Sequence, residues 1–123
     1  MSDQRVIKNL NFVGSSKKDL SNFPEDVKVN VGYALFQVQQ GKQPLSAKPL
    51  RGFAGASVLE IIENSGSGTY RSVYTVQFRH AIYVLHCFQK KSKHGIKTPK
   101  RDIDLIHQRL KTAVEHYKFS CAR

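Results

Sequence analysis

The 123-residue chain carries 20 Lys and Arg against 9 Asp and Glu, a formal charge of +11, and has a pI near 9.9. Its length suits one domain with a single hydrophobic core. A hydrophobic fraction of 40% with 7 Phe and 5 Tyr excludes a disordered chain. No apolar segment approaches the roughly 20 residues that span a bilayer. The start, MSDQRVIKN, has neither the basic-then-apolar order nor the cleavage site of a secretion signal, so the expected location is the cytoplasm. Cys87 and Cys121 lack metal-ligand spacing and read as reduced thiols rather than a structural disulfide.

Val6 to Val13 (VIKNLNFV) nearly alternates apolar with polar residues and predicts a first strand. Ser15 and Ser16 ahead of Lys17, Lys18 and Asp19 predict a capped helical turn. Pro24 suits the first position of a second helix, with Glu25 and Asp26 near its positive end. Val27, Val31, Leu35 and Val38 give it one apolar face, Gly41 stops it, and the pair forms a helical hairpin. Residues 43–55 hold Pro44, Pro49, Gly52 and Gly55 and read as a loop.

Three strands follow: Val58 to Glu63, Tyr70 to Phe78 and Ala81 to Phe88. Asn64 to Gly68 makes the first turn and Arg79-His80 the second, which predicts an antiparallel meander. The last helix takes Thr98 as cap and Pro99 as first residue, and buries Ile103, Ile106, Leu110, Ala113 and Tyr117. The expected fold is α+β: a small antiparallel sheet packed against an N-terminal helical hairpin, with a C-terminal helix, in one domain over residues 1–123.

The connection into that helix is the most informative segment. Lys90, Lys91, Lys93, Lys97, Lys100 and Arg101 crowd it, and no acid relieves them before Asp102. Like charges held this close repel, so a polyanion is the partner they fit, and a phosphate backbone is the first to consider. A membrane surface fits poorly, because the basic residues share no helix with exposed aromatics. An acidic protein matches the charge but leaves a phosphate-shaped grouping unexplained.

Three motifs in order, Gly68-Thr69-Tyr70-Arg71-Ser72-Val73-Tyr74, Leu85-His86-Cys87-Phe88-Gln89-Lys90-Lys91 and Lys97-Thr98-Pro99-Lys100-Arg101-Asp102-Ile103, resemble the phage-derived branch of the RelE/HigB toxin family. The resemblance covers roughly residues 20–118. It implies a RelE-like fold and a toxin of a type II toxin–antitoxin module. The implied activity is metal-independent cleavage of mRNA, typically on the translating ribosome, with the ribose 2′-hydroxyl attacking the adjacent phosphorus. The implied regulator is a small helix-turn-helix antitoxin, through which alone the toxin would meet operator DNA. No cofactor is implied.

Carried over residue by residue, Arg71 matches the family arginine that supports the scissile phosphate, and Lys91 and Lys93 match basic residues just after the last strand. These three are the candidate catalytic residues. Lys90, His94, Lys97, Lys100 and Arg101 are the candidate RNA contacts. One departure stands out: relatives often read Glu-Leu-Arg where this chain has Glu60-Ile61-Ile62, so the Val58–Glu63 strand carries no cation.

Each candidate also has a plainer reading. Arg71 can hold two phosphate oxygens in its planar fork, or can be an exposed strand arginine paired across to Glu60 or Glu63. Lys90, Lys91 and Lys93 can stabilise phosphate or move a proton, or can be a solvated loop that docks RNA. His94 is a proton donor or an exposed loop residue. His86 fits a hydrogen-bonded, partly buried residue better than a catalyst, and His80, His107 and His116 look superficial. Tyr70 and Tyr74 share a strand face and can stack a base or belong to the core. A non-catalytic nucleic-acid-binding subunit, or co-repressor, is the second functional expectation.

Overall fold

A computed structural model describes residues 7–53, 57–90 and 98–121. The elements run β1 (Asn9–Phe12), α1 (Ser16–Ser21), α2 (Glu25–Gln39), β2 (Ala47–Pro49), β3 (Val58–Ser65), β4 (Gly68–Thr75), β5 (Ala81–Lys90) and α3 (Lys100–Cys121). They form a five-stranded sheet in the order β1-β5-β4-β3-β2. The α+β arrangement of helical hairpin, sheet and C-terminal helix is the one expected.

Sheet details differ from expectation in four places. The meander β3-β4-β5 is antiparallel, but β1 lies parallel to β5, from Asn9 opposite Ala81 to Phe12 opposite Val84. Parallel neighbours need a long connection, and here two helices and three strands intervene. The segment read as a loop contains β2, which pairs antiparallel with β3 and sets Lys48 opposite Glu60. As an edge strand it tolerates Pro49. The β3–β4 turn is tighter than Asn64 to Gly68, because Ser65 already pairs with Gly68 and only Gly66 and Ser67 lie between. β4 stops at Thr75 rather than Phe78, where the Thr75 hydroxyl accepts a bond from the Gln77 N–H and turns the chain.

Helix starts differ as well. Ser15 bonds the Asp19 carboxylate at 2.8 Å and gives α1 no side-chain cap. Pro24 sits one residue before α2, its carbonyl accepting from Lys28 N–H. The Thr98 hydroxyl has no hydrogen-bond partner among the described residues; the Pro99 carbonyl closes the first turn of α3 by accepting from Asp102 and Ile103.

The sheet is covered on both faces. Val27, Val31, Leu35 and Val38 of α2 pack with Ile61, Tyr70, Tyr74, Ile82 and Val84 in one cluster. Ile106 and Ala113 of α3 join Val58, Val73, Tyr83 and Leu85 in the other, with Ile103, Leu110 and Tyr117 partly buried beside them. One irregularity between β4 and β5 serves both faces: Val73 faces His86 and Tyr74 faces Val84, leaving Leu85 unmatched. The extra residue lets Val84 and Cys87 face α2 while Leu85 packs in the α3-side cluster and His86 bonds Asp102 of α3. Among the described residues no helix is long and apolar enough to cross a membrane.

Candidate functional site

Side chains alternate across a strand, so residues two apart share a face. Glu60 lies two positions from Val58, Arg71 two from Val73, and Lys90 two from Phe88. All three neighbours belong to the α3-side cluster. The register sets Lys48 opposite Glu60, Glu60 opposite Val73, Arg71 opposite both Ile62 and Phe88, and Lys90 opposite Thr69. Lys48, Glu60, Arg71 and Lys90 therefore make a diagonal row on one face of the sheet, one from each of β2 to β5.

Within the row, Arg71 Nη1 donates to Glu60 Oε1 at 2.7 Å, with side chains 7% and 5% exposed. Of the two plain alternatives for Arg71, the pair with Glu60 is the one realised, and it is buried rather than exposed. Glu60 takes one guanidinium hydrogen and leaves Arg71 Nε without a partner among the described residues. Lys90 is 8% exposed and its Nζ also lacks a partner there. Burial, and then the Arg71 charge, hold the Lys90 ammonium below the usual lysine range, with Lys48 adding to the effect and Glu60 opposing it. Two buried cations thus face one buried carboxylate, an imbalance that is costly unless an anion completes it.

Beside the row, His86 Nε2 meets Asp102 Oδ1 at 2.8 Å, and its ring stacks on Phe88 at 4.6 Å between centroids. The other ring nitrogen, the buried Nδ1, has no partner among the described residues. The pair fixes the start of α3 on β5.

The remaining candidates divide clearly. Lys100 is exposed and bonds Asp104 at 2.9 Å, and Arg101 is exposed on the same turn. Lys91, Lys93, His94 and Lys97 lie outside the described residues. Tyr70 and Tyr74 are core on the α2 side, where Tyr70 packs on Phe23, so neither offers a face to a base. His80, His107 and His116 are exposed, His107 stacking on Phe53 and His116 bonding the Tyr83 hydroxyl. Among the described residues no three His, Cys, Asp or Glu side chains group as metal ligands.

Sequence reading missed Lys48 and the His86–Asp102 pair. Lys48 sits in a three-residue strand between prolines, too short to show a period. His86 and Asp102 meet across a strand and a helix, which no spacing reveals. Glu60 did leave a signal, as an acid alternating with Val58 and Ile62 in an apolar strand.

Comparison with known proteins places the chain. The family described as Phage derived protein Gp49-like (DUF891) matches residues 18–111, and the chain belongs to it. The fold is that of the RelE toxins. A free-state variant of E. coli toxin RelE, with two arginines replaced by alanine, superposes with a TM-score of 0.57 at 15% identity, over 88% of this chain and 98% of that one. The RelBE2 toxin–antitoxin complex from Mycobacterium tuberculosis gives a TM-score of 0.49 at 22% identity, over 74% of this chain and 100% of that one. No match is found among curated proteins.

Proposed function

We propose that this chain is the toxin of a type II toxin–antitoxin module and a metal-independent endoribonuclease acting on mRNA at the ribosome. The observation that carries the reading is the pair of buried cations, Arg71 and Lys90, set among the described residues against one carboxylate, Glu60, with N–H groups to spare. One phosphodiester supplies the missing charge and acceptors. In the reaction the 2′-oxygen loses its proton and bonds to phosphorus, the bond to the 5′-oxygen breaks, and that oxygen gains a proton. Charge builds on the non-bridging oxygens meanwhile, where Arg71 and Lys90 stabilise it; one such donor contributes about 2.7–4 kcal/mol. Lys91 and Lys93 act at the same phosphate, and His94, Lys97, Lys100 and Arg101 hold the flanking backbone. The whole of residues 1–123 serves as one such domain.

A helix-turn-helix antitoxin is the proposed partner. Support comes from α2, where Val29, Tyr33 and Phe36, spaced four and three apart, are 59%, 65% and 44% exposed. An outward apolar stripe of this kind suits a protein partner. Expression of the chain alone should arrest growth and create new 5′ ends in cellular messages, and Arg71→Ala or Lys91→Ala should relieve both. If the two variants stay folded and keep cutting, the proposed site is wrong.

A second reading, a nucleic-acid-binding co-repressor without catalysis, draws on two observations. Glu60 already occupies Arg71, and β3 supplies no cation to the row. Under this reading the 5′-end map stays unchanged on induction although RNA binding persists.

A further inference from the structure

We infer that Glu60 is an internal stand-in for the RNA phosphate, which holds Arg71 in the free protein and moves to Lys48 when RNA arrives. The inference rests on the proposed phosphate site and adds how that site is kept and opened. Glu60 stands between two cations: Lys48 is directly opposite on β2, and Arg71 is diagonal to it on β4. Directly opposed Cβ atoms lie about 4.5–5.5 Å apart and diagonal ones about 7–8 Å, so Lys48 is the nearer backbone neighbour. The carboxylate nevertheless reaches the farther partner, with Arg71 Nη1 at 2.7 Å.

The contact is a single one. Among the described residues only Nη1 bonds Glu60, and neither Nε nor the Lys90 ammonium beside it has a partner. A carboxylate that braced the arginine permanently would be expected to take its fork with both oxygens. Charge counting agrees with exchange. Without Glu60, the cations of Lys48, Arg71 and Lys90 would repel along the row. A phosphodiester carries the same single negative charge as the carboxylate, so it can take the Arg71 and Lys90 positions one for one. The displaced carboxylate then meets exposed Lys48, and neither anion is left unpaired.

The test uses the full chain and a non-cleavable RNA oligonucleotide with 2′-O-methyl riboses. Glu60→Gln removes the competitor and should bind this RNA about tenfold more tightly, the gain of roughly one charge-assisted contact. Lys48→Met should weaken binding several-fold when Glu60 is present and leave Glu60→Gln unchanged, because Lys48 acts through Glu60. A folded Glu60→Gln protein that binds no better than wild type, or an equal Lys48→Met effect in both backgrounds, overturns the inference. Should Glu60→Gln not fold, NMR of the wild-type Glu60 carboxyl and the Arg71 Nη hydrogens decides it: a Glu60–Arg71 contact that persists with RNA bound refutes the exchange. Failure of the site itself looks different, since Arg71→Ala and Lys90→Met would then bind the oligonucleotide as wild type does.

Discussion

Arg109 of α3 donates to the carbonyl of Leu85 at 2.9 Å, on the residue skipped by the irregularity within the β4–β5 ladder. Its other terminal nitrogen reaches the Ser15 hydroxyl at 3.0 Å, so one guanidinium joins the last helix, the bulge and the β1–α1 turn. Gly14 lies beneath it at φ +58°, and a Cβ there would come within 2.8 Å of Arg109 Nε.

Replacing either partner should loosen the same joint. Arg109→Ala is expected to cost about 1–3 kcal/mol, since it strands a carbonyl in a half-buried position. Gly14→Ala meets both a left-handed backbone and the guanidinium, and should cost at least about 1 kcal/mol. Urea denaturation of the two single variants and the double variant should show less than additive losses.

Lys90 is where the proposed function opposes stability. Its lowered pKa means that the unfolded chain holds the proton more readily, so the ionised group weakens the fold at neutral pH. The penalty is relieved as pH rises through the lowered value toward the ordinary 10.5. Lys90→Met should therefore raise stability at pH 7 while weakening RNA binding under the proposed function. Thermal melts should show the gain shrinking toward pH 10.5.

Burial shifts two groups upward on the α2 side: the Cys87 thiol from 9.0 to about 11 and the Tyr74 phenol from 10.0 to about 12. Below pH 9 both are neutral in either state and their contribution is fully present. Above it the unfolded thiol ionises first, then the phenol, and stability falls until the folded groups titrate. Cys87→Ala should flatten the stability curve between pH 9 and 11, and native Cys87 should react slowly with a thiol reagent at neutral pH.

Salt dependence should count phosphate contacts. Five contacts to single-stranded RNA give a log–log slope of about −3.5, and Arg71→Ala should flatten it by about 0.7. A slope unchanged in the folded variant would place Arg71 away from the RNA.

Ile62 faces Arg71 directly across β3 and β4, in a strand that brings no cation to the row. Ile62→Arg should tighten RNA binding and, if the chain is a nuclease, speed cutting. It should also lower stability by about 0.2–1 kcal/mol, because like charges directly opposite repel. Parallel binding and denaturation measurements test both signs.

The helices and the meander were readable because each repeats a local period, as Val27-Val31-Leu35-Val38 does. The β1–β5 pairing, β2 and the bulge at Leu85 were not, since each depends on contacts between distant segments. The site shows the same division. Arg71 and Lys90 could be picked from charge and motif, but their burial could not. Pairing of Arg71 with Glu60 or Glu63 was anticipated, but the choice of Glu60 was not, for it depends on a diagonal reach between strands. Thr98 misled because a hydroxyl before proline looks like a cap, while the carbonyl of Pro99 does that task.

The parallel pairing of β1 with β5 also sets a timetable for synthesis. Asn9 meets Ala81 across 72 residues, so the first strand to leave the ribosome waits unpaired until the last strand follows. Contacts this remote slow folding and leave a strand edge open meanwhile. A nascent chain that stops short of Ala81 has no strand on which β1 can lie, and one that stops short of Lys90 lacks one cation of the row. Under the proposed function, fragments released by premature termination should neither bind RNA tightly nor cut it.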